Sequence, residues 1–164
     1  MNGLLIGRFQ PFHLGHLEAI RFGLSQVENL WIGIGSSNKG NEKRNPFTAD
    51  EREEMISSSL DSAISNRVKV YYIPDIDDHE KWTRLVDSAV PKYDVVFSND
   101  DFTQTLFQKR GIRVIAVPLK EREKLSATTV RTRIVADQNW EELVTEGTRK
   151  VLLKINAKDR LASL

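Results

Sequence analysis

The chain has 164 residues, with 24 Lys+Arg against 23 Asp+Glu for a net charge of +1, 40% apolar residues, 29% charged residues and no cysteine. This length can bury a real core as one domain, and the absence of cysteine excludes a disulfide framework, a Cys-ligated zinc site and an iron–sulfur cluster. The near-neutral balance sets up no general field for nucleic acid, and no apolar run approaches the ~20 residues of a membrane span, so the expectation is a soluble, cytoplasmic protein that binds neither nucleic acid nor membrane.

The first residues lack a basic n-region and read as a strand over 3–7. Leu17, Ile20, Leu24 and Val27 recur at helical spacing and predict a helix over 15–27. A second apolar run, 30–35, reads as a strand, and the polar stretch 36–45 as a loop. Thr48 precedes Glu51 by three residues, a capping-box spacing that starts a helix near 49. Residues 68–73 read as a third strand, and Asp77 or Asp78 can cap a helix over 79–89. A fourth strand is expected at 94–97, a helix at 100–109 ended by Gly111, and a fifth strand at 113–117. Two C-terminal helices are expected over 127–137 and 145–158.

There is no internal repeat, and the five prolines and nine glycines fall at punctuation points. The reading is one domain, 1–164, with a core over 1–137 and C-terminal helices over 138–164. Alternating strands and helices give an α/β, Rossmann-like doubly wound parallel sheet of five or more strands, with helices on both faces. Ligands then belong beyond the carboxyl ends of the strands, in segments 7–16, 35–48, 74–82, 98–102 and 118–131. Asn99 becomes a candidate by that position.

The first of these segments, Gly7-Arg8-Phe9-Gln10-Pro11-Phe12-His13-Leu14-Gly15-His16, runs from a strand into a helix. Two imidazoles three residues apart share one side of the helix start. Free N–H groups and the helix dipole there favour an anion. Gly15 would let a phosphate approach the backbone, and Arg8 adds a fork-shaped donor. Zinc would need more ligands than this pair, and His79 is the one other histidine.

Ser126 is a good N-cap, and with Thr128 and Arg131 it makes a second candidate anion site, although an ordinary cap beside a solvated arginine fits the same residues. The run from Lys120 to Lys124 reads as a solvated loop, with Arg122 a candidate to fold over phosphates. Arg44 shares its loop with Lys39 and Lys43, either as a phosphate grip or as a surface cluster. Trp82 lies on an amphipathic helix and could be core. Trp31 and Trp140 read as packing residues. No P-loop string occurs, and Gly33-Ile34-Gly35 lacks the third glycine of a dinucleotide fingerprint.

Gly7 to His16 resembles the H-x-G-H signature of the nucleotidyltransferase superfamily, and the fuller string is similar to the archaeal type of nicotinamide mononucleotide (NMN) adenylyltransferase. The block Arg44-Asn45-Pro46-Phe47-Thr48-Ala49-Asp50-Glu51-Arg52 is similar to that family's R-[ND]-P-F-T-x-x-E-R. Pro74-Asp75-Ile76-Asp77, with Trp82 seven residues after Asp75, is similar to its D-I-x-x-x-x-x-W segment. Ser126-Ala127-Thr128-Thr129-Val130-Arg131 resembles its S-[GA]-T-x-[VI]-R signature, with Thr129 where an acid is common and Ala127 where glycine is common. Neither change removes a phosphate donor.

The resemblance spans nearly the whole chain and implies a nicotinamide-nucleotide adenylyltransferase. Such an enzyme makes NAD and pyrophosphate from ATP and NMN by in-line attack, without a covalent enzyme intermediate. It assigns ATP to Gly7, Arg8, Phe9, His13, Gly15, His16, Ser126, Thr128 and Arg131, with His13, His16 and Arg131 catalytic. It assigns NMN to Arg8, Arg44, Asp75 and Trp82, the ring stacking on Trp82. Mg²⁺ is expected to arrive on ATP, with no dedicated protein ligands, and a homo-oligomer, with a hexamer in view, is implied. Two other readings compete: a related transferase acting on flavin mononucleotide or phosphopantetheine, and a non-catalytic nucleotide sensor. Trp82 and the 44–52 block favour a pyridine nucleotide, and the two histidines with the 126–131 block argue against a sensor.

Overall fold

The structure, a computed structural model, describes residues 1–118 and 125–164. Five strands, β1 (Asn2–Gly7), β2 (Asn29–Ile34), β3 (Val68–Tyr72), β4 (Val95–Phe97) and β5 (Arg113–Ile115), form one sheet in the order β3-β2-β1-β4-β5. Every neighbouring pair is parallel. The register places Leu4 beside Trp31 and Val96, and Leu5 beside Ile32 and Phe97.

A strand's side chains alternate between faces, and here both faces are buried. Leu4, Trp31 and Val96 join Ile73, Val86, Val90 and Phe107 on one side, under α4 (His79–Ala89) and α5 (Asp101–Gln108). Leu5, Ile32 and Phe97 join the larger core on the other side, with Leu17, Ile20 and Leu24 of α1 (Leu14–Gln26) and Met55 and Ile56 of α2 (Ala49–Ser57). Double coverage explains why β2 is apolar throughout rather than alternating. It is the doubly wound arrangement expected from the order of elements.

The expected helix starts hold where a cap dictates them. Thr48 and Glu51 form the capping box of α2, and Asp78 receives the N–H groups of Glu80 and Lys81 at the start of α4. Gly111, at φ +74°, follows α5 in the left-handed region that suits glycine. Two features differ from expectation. A short helix, α3 (Ser62–Ser65), capped by Asp61, occupies the stretch before β3. The stretch 145–158 is not one helix: α7 (Glu146–Lys154) ends, Asn156 turns through φ +53°, and α8 (Ala157–Ser163) begins. Apolar spacing continued across that break because Val151, Leu152 and Ala157 all face the core. α7 packs on α2, and α8 packs on α6 (Ala127–Val135), so the C-terminal helices close one face of the sheet.

Candidate active site

In this strand order the chain winds outward from β1 through β2 to β3 and then crosses back to β4 on the other side of β1, so a crevice opens at this switch point between the carboxyl ends of β1 and β4. A cavity of about 430 Å³ lies there, lined by the loop after β1, the loop after β4 and the start of α6.

His13 and His16 form its floor in a way their spacing does not announce. His13 is the N-cap of α1: its Nδ1 accepts the Gly15 N–H at 3.0 Å, while the His13 N–H donates to His16 Nδ1 at 3.1 Å. This is a capping box built from two imidazoles. Each Nδ1 accepts a hydrogen bond, so each ring carries its proton on Nε2 and keeps one donor for something else. The rings stack at 3.7 Å between centroids, and Phe9 and Phe12 pack around His16. Burial lowers the His13 pKa to about 4. Burial, with the His13 charge it would face, holds His16 well below the usual histidine range. Both are neutral donors at pH 7.

Gly15 lines the cavity and has a structural reason of its own. A Cβ there would lie 2.9 Å from His13 Cε1, so glycine makes room for the capping imidazole. At Gly7, a Cβ would meet the Phe9 ring at 2.9 Å, and Phe9 itself takes φ +54° to fold back over the strand end. Phe9 is buried, and its role is to wall the cavity.

Across the cavity, Ser126 caps α6 by accepting the Thr129 N–H at 3.1 Å, and Thr128 is exposed at the mouth. Arg131, one turn further, reaches the opposite wall and donates to the Gln10 carbonyl at 2.7 Å. Burial and the positive charge of Arg8 lower its pKa. Two arginines thus repel each other across one cavity, an arrangement an anion relieves. Gln10 is buried and brackets Phe47, accepting its N–H at 2.9 Å and donating to its carbonyl at 3.2 Å. It is a residue sequence reading passed over. Asn99 lines the cavity, but its amide is engaged with the Val117 N–H and carbonyl, both at 2.7 Å, so it ties the loop after β4 to the chain after β5. Arg122 falls outside the described residues.

The other half of the crevice lies after β2 and β3. Asp75 accepts from Ser36 Oγ at 2.8 Å and pairs with Lys39 at 3.3 Å. Trp82 is half-buried, with Phe107 against it at 6.0 Å, and helps line a depression of about 540 Å³ with Asp75, Ile76, Asp77, His79 and Phe102. Arg44 is exposed and lines neither this depression nor the cavity between β1 and β4. Trp31, whose Nε1 donates to the Lys92 carbonyl, and Trp140 pack into the two cores, as expected.

The buried Arg52 is the largest omission of sequence reading. It is fully enclosed and makes five hydrogen bonds, all to main-chain carbonyls. The signal was present: Arg52 shares the face of α2 that carries Ala49, Met55 and Ile56. Among the described residues, no cluster of three or more His, Asp or Glu side chains could hold a metal ion. Among the described residues, Asp100 is the one carboxylate on the cavity wall, and it is engaged as the N-cap of α5.

Residues 4–133 match the cytidylyltransferase-like family. A nicotinamide-nucleotide adenylyltransferase of Thermococcus sibiricus is 40% identical over 100% of this chain and 89% of its own length. One from Saccharolobus solfataricus is 40% identical over 99% and 96% respectively. The chain belongs to the nicotinamide-nucleotide adenylyltransferase family. Among solved structures, a bifunctional NMN adenylyltransferase/ADP ribose pyrophosphatase from Francisella tularensis superposes with a TM-score of 0.82 at 22% identity. That match covers 99% of this chain and 52% of the longer one, about half its length, and bears on the fold.

Proposed function

We infer that this chain transfers the adenylyl group of ATP to NMN, giving NAD and pyrophosphate. The observation that carries the reading is the convergence of Arg8, Arg131 and two Nε2–H donors on one cavity at the crevice between β1 and β4. An oxygen of the NMN phosphate attacks the α-phosphorus of ATP. The bond from that phosphorus to the bridging oxygen breaks, and pyrophosphate leaves in line. The attacking phosphate is already ionised at neutral pH, so no general base and no covalent enzyme intermediate are needed.

The work left to the protein is positioning and stabilisation of developing charge. His16 donates to the reacting phosphates, with His13 behind it. Both act as neutral donors, so the positive charge falls to Arg8 and Arg131. Ser126, Thr128 and the amides at the start of α6 hold the β and γ phosphates. Arg8 and Arg44 grip the NMN phosphate, Trp82 stacks on its ring, and Asp75 orients the ribose or carboxamide. The donor set is imidazole, guanidinium and hydroxyl rather than carboxylate, which suits Mg²⁺ entering as part of MgATP and retaining its waters. No helix among the described residues is long and apolar enough to cross a membrane; this reading adds the cytoplasm as compartment and a homo-oligomer as the assembled form.

The test is a product assay with ATP and four acceptors: NMN, nicotinate mononucleotide, flavin mononucleotide and phosphopantetheine. NAD formation from NMN supports the reading, and turnover with only a non-pyridine acceptor overturns it.

A further inference from the structure

Arg52 carries a charge that the mechanism above does not use. Its Nε donates to the Thr48 carbonyl at 3.2 Å. Nη1 donates to the Arg8 and Gly35 carbonyls at 2.8 Å each. Nη2 donates to the Ser36 carbonyl at 3.1 Å and the Lys39 carbonyl at 3.2 Å. A guanidinium has five N–H donors, and all are spent on main chain. Among the described residues Arg52 forms no ion pair, and burial lowers its pKa to about 10. A surface helix face has no need of such a group, and an enclosed cation is costly unless its geometry is used.

The five carbonyls come from the loop after β1, the loop after β2 and the cap of α2. The two that Nη1 holds immediately precede Phe9 and Ser36, at φ +54° and +49°. Non-glycine residues in that region are strained, and strain persists only where surrounding structure enforces it. The same two peptides turn their carbonyls toward Arg52, so the N–H groups of Phe9 and Ser36 point the opposite way. The loop after β2 also carries both partners of Asp75, Ser36 and Lys39.

We propose that Arg52 is a positioning residue for the acceptor nucleotide: it locks the strained turns after β1 and β2 to one another and thereby fixes Arg8, on one turn, relative to the Ser36–Lys39–Asp75 group on the other. The inference rests on the reading of an NMN-dependent transferase. Arg52 has no donor left for substrate and acts through the two loops. Among the described residues, none at the start of α6 is a hydrogen-bond partner of Arg52.

The test is Arg52→Lys, whose ammonium has three donors for five carbonyls. The KM for NMN should rise about tenfold, the equivalent of one charge-assisted bond lost, while the KM for ATP changes by less than about threefold. Val90→Ala, a change in the core on the opposite face of the sheet from α2, serves as a control for general destabilisation and should leave both KM values unaltered. A folded Arg52→Lys protein with the wild-type KM for NMN overturns the proposal, as does an equal rise in both KM values. If that variant does not fold, the wild-type protein decides by NMR. Saturating NMN should shift the slowly exchanging Arg52 guanidinium N–H signals and ATP alone should not; indifference to NMN overturns the proposal. No NAD from the wild-type protein overturns the functional reading together with this inference, whereas NAD from it and an unaltered acceptor KM in Arg52→Lys overturns this inference alone.

Discussion

On the side of the crevice after β1 and β4, several polar side chains are held in place by hydrogen bonds within the protein, and His13 and His16 each keep an Nε2–H for a ligand. His13 and His16 cap one helix for each other, Gln10 is pinned to Phe47, and Arg131 is held on the Gln10 carbonyl. On the side after β2 and β3, Arg44, Asp75, His79 and Phe102 are all exposed. The first region is held in place because His13, Gln10 and Arg131 are tied to main-chain groups around the cavity. In the second, Arg52 fixes the main chain of the loop after β2, while the side chains of Arg44, Asp75, His79 and Phe102 stay exposed. On the proposed assignment of substrates, the preorganised electrostatics, where catalysis draws most of its barrier lowering, lie with the triphosphate rather than with the acceptor.

The sharpest break of that comparison is His16→Ala. The change removes an Nε2–H donor from a preorganised site, and kcat should fall by about 10²–10³. It also removes the acceptor for the His13 N–H, a cap-sized loss of about 1 kcal/mol in stability. His16→Asn, whose carbonyl can replace Nδ1 as acceptor, should recover the stability and not the rate. Wild-type turnover in either folded variant removes His16 from the chemistry.

Arg131→Ala comes next. The loss of a charge-assisted phosphate contact should raise the KM for ATP by about tenfold to a hundredfold, with a smaller effect on NMN. Relief of the Arg8–Arg131 repulsion should leave the unliganded protein no less stable. Steady-state kinetics with each substrate varied, beside a thermal melt, reads both. Weakened NMN with ATP unaffected would move Arg131 to the other half of the crevice.

The lowered His13 pKa gives a smaller effect on stability, with a definite sign. The folded group titrates at about 4 and the unfolded one at about 6.5, so the unfolded chain binds more protons between those values. Stability from this group is complete above pH 6.5 and is lost as pH falls toward 4, about 2 kcal/mol between pH 7 and pH 5. His13→Asn, which can still accept the Gly15 N–H, should flatten that part of the profile. Denaturant melts of the ligand-free proteins at the two pH values measure the difference. An equally steep loss in His13→Asn would assign the pH dependence to other groups.

The same contrast accounts for what could be read before the structure. Strands and helix starts were legible because local rules set them: double burial makes β2 apolar, and Thr48–Glu51 and Asp78 announce their helices. His13, His16, Ser126 and Arg131 were legible as a candidate phosphate site because they sit at two helix starts, and the fold brings them to one cavity. The reciprocal cap between the histidines was not, because H-x-x-H is rarely read as a capping box although its spacing is that of one. Arg52 and Gln10 were hidden for another reason. Their partners are main-chain carbonyls and amides up to 44 residues away in sequence, and side-chain patterning carries no record of backbone geometry. The break at Asn156 was hidden because apolar spacing carries across it.

The mildest prediction concerns Trp82, in the open half. The NMN ring is a flat cation, and an indole face attracts such a cation by roughly 0.5–2 kcal/mol. Trp82→Ala should weaken NMN about tenfold, near 1.4 kcal/mol, while ATP affinity barely moves. Trp82→Phe should fall between, since a benzene face attracts a cation less strongly. NMN should also quench indole emission, with Trp82 the source, because Trp31 and Trp140 are packed into the two cores away from this depression. Trp82 has a second attachment, however: its ring meets Phe107, a fully buried residue of the core under α4. A pure core anchor would lose a few kcal/mol of stability on truncation to Ala, and its folded fraction would bind NMN normally. Unfolding and NMN titration on one preparation separate the two roles. A Trp82→Ala protein that melts early yet binds NMN with wild-type affinity assigns the residue to the core alone, and the open half of the crevice then lacks its aromatic platform.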